Sequence, residues 1–214
     1  MPEYTQGDNH FVKAEEIMRE VLGEDYLETP KKLNFQVLIV EGDEQKFVCP
    51  LQLGEERFEI DQQQAEGTID AFAIGLKSVL FEKYSSLKSL SMISFILKSC
   101  GVQTGFIPGS NKQEMDTCSF AVSAEISLTF KNVRGSEFTF KTIGSDSFQF
   151  TFLLILEAFL FFVNSEKAYR KARTRYNLGT SDADYIRDVV LPVLAKNNDY
   201  RKIAEQIDLE NKSK

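Results

Sequence analysis

Alternation of apolar and polar side chains is clearest where Phe120, Val122, Ala124, Ile126, Leu128 and Phe130 interleave with Ser123, Glu125, Ser127 and Thr129. A period of two over that length predicts a strand with one buried face. Shorter runs predict five more strands, at Leu33 to Ile39, Phe47 to Leu53, Arg57 to Gln63, Leu90 to Leu97 and Glu137 to Ile143. Turn signals at Glu41-Gly42-Asp43, Gly54-Glu55-Glu56 and Asn132 to Gly135 separate them. Pro50 removes a ladder donor, so its strand is expected at a sheet edge or with a bulge.

Elsewhere the period is helical. Phe11, Ala14, Ile17, Met18, Val21 and Leu22 stripe a helix that Gly23 stops, and Ile69, Phe72, Ala73, Leu76, Val79 and Leu80 stripe another, capped by Gly67 or Thr68. A long helix is expected from Ser147 through Val163 to about Lys171. A last one runs from Ser181 or Asp182 to near Ile207, with Pro192 kinking or splitting it. In chain order, three strands, a glycine turn and a helix occur twice. The repeat predicts an α+β chain of two pseudo-symmetric βββα units sharing a core, about 33–84 and 90–171, within a domain spanning 31–173. A helical arm, 1–30, precedes it and a helical tail, 174–214, follows. Lys98 to Thr117, with Gly101, Gly105, Pro108 and Gly109, is expected to be a long loop, either a lid or a tolerated insertion.

The long helix starts with more apolar side chains than one stripe needs: Phe148, Phe150, Phe152, Leu153, Leu156, Phe159, Leu160 and Val163. Its apolar part falls short of the roughly 20 residues that cross a bilayer, and Gln149, Thr151 and Glu157 interrupt it, which favours a buried helix. Two surfaces must cover it. A homodimer supplies the second, or the terminal helices of the same chain do.

Charge narrows the partners. With 25 basic and 32 acidic residues in 214, the net charge of −7 disfavours nucleic acid and anionic membrane. The basic cluster Arg170, Lys171, Arg173 and Arg175 is expected to be a solvated helix end. Cys49, Cys100 and Cys118 are widely spaced and odd in number, as in a protein with reduced thiols, and the polar start Met1 to Asn9 has no export signal, so a cytoplasmic location is expected. His10 is the sole histidine, near a terminus expected to fray, so neither a metal site nor a Ser-His-Asp or Cys-His arrangement is expected. No cofactor and no enzyme activity follow.

The Gly67-Thr68-Ile69-Asp70-Ala71 turn, the second turn Gly144-Ser145-Asp146, and Ala158-Phe159-Leu160 closed by Asn164 give the chain a family likeness. In this order they resemble the C-terminal allosteric and dimerisation domain of 2-isopropylmalate synthase and citramalate synthase over roughly Leu33 to Asn164. The first turn of that family commonly reads Gly-Pro-Val-Asp-Ala, and its second helix ends in Ala-Tyr-Leu and Asn. Its second turn sets Asp four residues after Gly, whereas Asp146 follows Gly144 by two. The catalytic barrel that precedes the domain in those enzymes has no counterpart here. The resemblance implies a dimeric regulatory module that senses leucine or isoleucine.

Both turns start helices, whose exposed N–H groups and positive dipole ends suit a carboxylate. Gly67, Thr68, Ile69, Asp70, Ala71, Gly144, Ser145 and Asp146 are therefore the candidate ligand residues, with Asp70 accepting from an ammonium and Ile69, Ala71 and Phe72 forming an apolar wall. Equally, Gly67 and Asp70 serve the helix start alone. The function expected is a non-catalytic dimerisation module binding a branched-chain amino acid, with a separate synthase subunit as its client; the alternative is a scaffold or interaction subunit with no ligand site.

Overall fold

An amphipathic helix, α1 (Asp8–Leu22), leads into three antiparallel strands, β1 (Gln36–Ile39), β2 (Gln45–Leu53) and β3 (Glu56–Gln62), followed by α2 (Thr68–Phe81). The order then recurs as β4 (Ser91–Val102), β5 (Val122–Lys131), β6 (Glu137–Gly144) and α3 (Ser147–Asn177). This computed structural model describes residues 8–39, 45–62, 67–102, 122–144 and 147–197, with Tyr200, Ile203, Ala204 and Ile207. The chain is α+β, with two three-stranded sheets ordered β1-β2-β3 and β4-β5-β6. Both units are meanders followed by a helix, yet their dimensions differ: β4 has 12 residues against 4 in β1, and α3 has 31 against 14 in α2.

Alternation places the core. In β2, Phe47, Cys49, Leu51 and Leu53 are buried, and Cys49 pairs with Ile60 and Leu51 with Phe58 across to β3. In β5, Ala124, Ile126, Leu128 and Phe130 are buried, with Leu128 opposite Phe140 and Phe130 opposite Phe138 of β6. Helix α2 packs on β2 and β3, α3 packs on β5 and β6, and the two helices touch, so both sheets contribute to one apolar interior. Gly54 and Gly135, with φ of 62° and 82°, supply the left-handed residues in the β2–β3 and β5–β6 turns.

Pro50 corrects one expectation in part. Its strand is central in the sheet, but β1 pairs with β2 only as far as Gln36 opposite Val48. At Pro50, opposite Glu59, β2 therefore has β3 as its ladder partner and none from β1, so the proline occupies a locally one-sided stretch.

Helix α3 is also longer than expected, running through Asn164 to Asn177. From residue 148 on it is long and apolar enough to cross a membrane, but most of that stretch is buried inside the protein. Apart from Phe148, 51% exposed, the surplus apolar surface is largely covered within one chain. Helix α1 packs along α3, and so do the pieces Ala183–Tyr185, the π-helical turn Ile186–Val190 and Leu191–Leu194, which run on as α4 (183–194). The π turn, with Leu191 N–H bonding Ile186 O, ends at Val190, and Pro192 stands in the first turn of the next α-helical piece, so the helix changes type where the proline withholds a donor. The helical stretch ends at Leu194, in the turn to Asn197. Cys49 is buried and free, and burial pushes its thiol up to about 11.

Buried polar groups fasten the arms. Asn164, mid-helix and 1% exposed, accepts from Leu27 N–H and donates to Leu27 O, both at 2.9 Å. It is not a helix-closing residue; it ties the segment after α1 to α3. His10 lies within α1 and bonds Asn197 Oδ1 at 2.9 Å, Asn197 Nδ2 donates to Ser165 Oγ at 2.9 Å, and Ser165 shares a 2.7 Å bond with Tyr200. The ring of Tyr200 stacks on Tyr169 at 4.1 Å. Thus His10 is an anchored residue rather than a solvated one in a frayed end.

Candidate functional site

Asp70, Ile74 and Lys77 recur at i, i+4 and i+7, so they share one face of α2 and stand in a row along it. That row forms one wall of a cavity of about 340 Å³. Leu90, Ser91 and Met92, entering β4, together with Phe130 of β5 and Ile155 and Phe159 of α3, form the others. The cavity lies where the helix of the first unit meets the sheet and helix of the second. Its size is within the range of small-ligand sites.

The sheet explains the opening. Met92 pairs with Phe130, Phe95 with Leu128 and Leu97 with Ile126, so these three β4 side chains lie on the face whose β5 members are buried. Yet Met92, Phe95 and Leu97 are 45%, 38% and 51% exposed. Helices α2 and α3 cover the inner face as far as β5 and leave β4 open. A register shift between Met92 and Ser94 accommodates Ile93, which is also exposed. Among the described residues β4 pairs with β5 alone, so its outer edge is open as well.

The chemistry of the cavity is mixed in a useful way. A carboxylate from Asp70 and an ammonium from Lys77 stand two helical turns apart, about 10 Å along the axis, and the rest of the wall is mainly aliphatic and aromatic. Lys77 Nζ lies 4.9 Å from the centroid of the Phe81 ring.

Of the described residues expected from sequence, Asp70 alone lines this cavity. Gly67 is the N-cap residue of α2 in extended conformation, and its carbonyl accepts the first helical bond from Ala71 N–H at 2.8 Å. A Cβ at Gly67 would meet nothing within 4 Å, so space does not demand glycine there. Thr68 follows half-buried. Ala71 is buried and Ile69 packs against the core, while Phe72 is fully buried with its ring 5.8 Å from Phe47 and 4.9 Å from Phe152. These three side chains build the interior instead of a ligand wall, because they lie on the face that α2 turns to its own sheet and to α3. Gly144 ends β6, and there glycine is required by space: a Cβ would lie 1.9 Å from the Phe150 ring. Ser145 and Asp146 lie outside the described residues, as does most of the expected loop; its first five positions, 98–102, are strand.

Sequence reasoning missed Ile74, Lys77 and Met92. The signal was present in the polar-ended row 70, 74, 77, which diverges from the core stripe of α2.

Other polar clusters read as structural. Glu166, fully buried, accepts from Ser86 N–H at 3.1 Å, from Ser86 Oγ, and from Arg170 Nε at 2.9 Å, joining α3 to the 3₁₀ turn Ser85–Ser89. Ser165 is not a nucleophile paired to a base, since Asn197 stands between it and His10. Among the described residues no three His, Cys, Asp or Glu side chains converge as metal ligands. Compared with known proteins, the chain matches no family model and no curated protein sequence.

Proposed function

We propose that this chain is a non-catalytic regulatory and dimerisation module, similar in plan to the leucine-sensing domain of 2-isopropylmalate synthase, and that it binds a branched-chain amino acid in the cavity between its two units. One observation carries the reading: a carboxylate and an ammonium from one face of α2 line a mainly apolar cavity of about 340 Å³. Asp70 accepts from the ligand's ammonium and Lys77 donates to its carboxylate, while Met92, Phe130, Ile155 and Phe159 take the aliphatic side chain. The carboxylate partner is thus Lys77 in place of the glycine-turn N–H groups. Support for a homodimer comes from β4, whose apolar inner face and open edge a second copy can cover. This ground replaces the apolar surplus of α3, which the chain largely buries by itself. A cytoplasmic location and a separate client synthase belong to the same proposal.

Thermal melting with each of the twenty amino acids tests it. At a ligand concentration about 100-fold above Kd, leucine or isoleucine should raise the melting temperature by about 5–10 °C. Asp70→Asn and Lys77→Met should each abolish that shift. Absence of a shift with every amino acid refutes the sensing role and leaves the interaction-subunit reading, which the open β4 face favours independently.

A further inference from the structure

Lys167, Arg170, Lys171, Thr174 and Arg175 recur at i, i+3, i+4, i+7 and i+8, so they line one face of α3. Like charges at these spacings repel one another along a helix. They are partly exposed, and they line one wall of an open cleft of about 800 Å³: the segment after α1, with Leu22 and Asp25, stands on one side, and Glu56 with Lys83 and Tyr84 on the other. Lys83, from beyond the end of α2, adds a fifth cation facing the helix stripe. Five of the 25 basic side chains of an acidic chain therefore converge on one concavity.

Their present partners differ in how firmly they are held. Arg170 is fixed from behind by Glu166, which is fully buried. By contrast, Lys171 pairs at 2.9 Å with Asp25, itself 64% exposed, and Lys83 pairs with Glu56, 48% exposed. Arg175 pairs with Asp182. Lys167 Nζ has a backbone carbonyl, Asp25 O, as its partner at 2.5 Å, and burial pulls its ammonium below the ordinary lysine range. The two exposed carboxylates can swing into water, and doing so leaves Lys83, and Lys171 with its 3.2 Å bond to Leu22 O, to face a stronger anion. The leucine side chain of Leu22 and the buried ring of Tyr84 give the cleft an apolar flank.

We propose that this cleft binds a compact polyanion of the pyrophosphate class, held between Lys83 on one wall and Lys167, Lys171 and Arg175 on the other. Phosphate oxygens replace Asp25 and Glu56 as acceptors, and Arg170 stays on Glu166 and shapes the floor. The same chemistry is carried by inorganic pyrophosphate and by a nucleoside diphosphate.

Isothermal titration of the full chain with pyrophosphate and with ADP, at fixed ionic strength and against sulfate as the control anion, tests this. Saturable binding of either, tighter than sulfate, is expected; stronger binding of ADP identifies the nucleoside as part of the ligand, and equal binding identifies the phosphates alone. Lys83→Gln with Lys171→Gln should weaken affinity by at least about tenfold while lowering the melting temperature of the unliganded protein only slightly, since the ion pairs lost with Glu56 and Asp25 are exposed. Lys167→Met gives a second reading within the cleft and should weaken binding likewise, whereas Asp70→Asn in the other cavity should leave it unchanged. No saturable heat from pyrophosphate or ADP, binding no tighter than sulfate, or undiminished affinity in the folded lysine variants overturns the proposal.

Discussion

Replacing Asn164 by Ala separates two accounts of that residue. As the last residue of a helix it would sit near solvent, and its removal would change stability by no more than about 0.5 kcal/mol. The structure places it mid-helix, 1% exposed, with its amide closing a two-bond pair on Leu27, each bond 2.9 Å long. Asn164→Ala leaves one backbone N–H and one C=O without their partner. An unsatisfied buried polar group costs about 1–3 kcal/mol, and Leu27 is half-buried, so water recovers part of each loss. The lower half of that range, taken twice, gives about 3 kcal/mol. For a chain of this size that corresponds to a fall in melting temperature of about 6–12 °C. Urea unfolding gives the free energy directly, and an unchanged m-value shows that the loss belongs to the folded state. Asn164→Asp keeps the acceptor for Leu27 N–H but turns a carboxylate toward Leu27 O, so it should lose at least as much. A loss below about 0.5 kcal/mol for both variants would refute the argument that Asn164 ties the arm to α3.

The aromatic interior yields a second expectation: Phe152 meets Phe35 at 4.8 Å, Phe72 at 4.9 Å and Phe47 at 5.5 Å, so Phe152→Ala should cost about 3–5 kcal/mol in chemical denaturation. The two glycine turns should respond oppositely to alanine. Gly144→Ala drives a Cβ into the Phe150 ring and should cost about 1–3 kcal/mol, whereas Gly67→Ala should leave the melting temperature and any leucine response nearly unchanged. Acid sensitivity has a defined sign. The hydroxyl of Thr180, then Asp182's own backbone N–H and the guanidinium of Arg175, hold the Asp182 carboxyl below its ordinary 3.8, and Lys171 does the same for Asp25. The folded chain binds these protons less readily than the unfolded one, so this contribution is complete above about pH 4 and lost as the pH falls through the depressed values. Melting temperatures measured between about pH 2 and 5 should therefore fall less steeply in Thr180→Val with Lys171→Met than in the parent chain.

Much of the fold was legible because each element carries a strong period. The run from Ala124 to Phe130 alternates in the sequence and alternates in burial, and the stripe from Phe11 to Leu22 is buried at every named position. What the period cannot say is whether a second surface exists to cover a face. Phe95 and Leu97 lie opposite buried β5 residues, yet they are exposed, because the helices stop short of β4. The converse holds for α3, where a surplus of Phe and Leu looked like an interface and is largely covered by α1 and α4. Local chemistry misled in the same way at Asp70: the turn Gly67 to Ala71 drew attention to its own neighbours, while the side chains that share a cavity with Asp70 come from α2's next two turns and from β4, β5 and α3. Three of the four sources are distant in sequence, and a single chain read alone carries no record of them.

Met92 connects the two halves of the proposed function, since it lines the cavity and also begins the uncovered face that continues through Phe95 and Leu97. A second copy laid on that face narrows the cavity mouth, and a ligand held against Met92 fixes a side chain that the second copy must meet. Binding and assembly then share a contact, and linkage requires that each strengthen the other by the same factor. A coupling of about 1–3 kcal/mol is the ordinary scale for such a shared element, or about 5–150-fold in the dimer dissociation constant. Sedimentation equilibrium with and without saturating leucine measures it. Met92→Ala should weaken both the dimer and the leucine response, and Leu97→Ser, which lies on the open face but not on the cavity, should weaken the dimer alone. A dimer constant identical with and without ligand would break the link: a ligand with equal affinity for monomer and dimer shifts nothing, however tightly it binds.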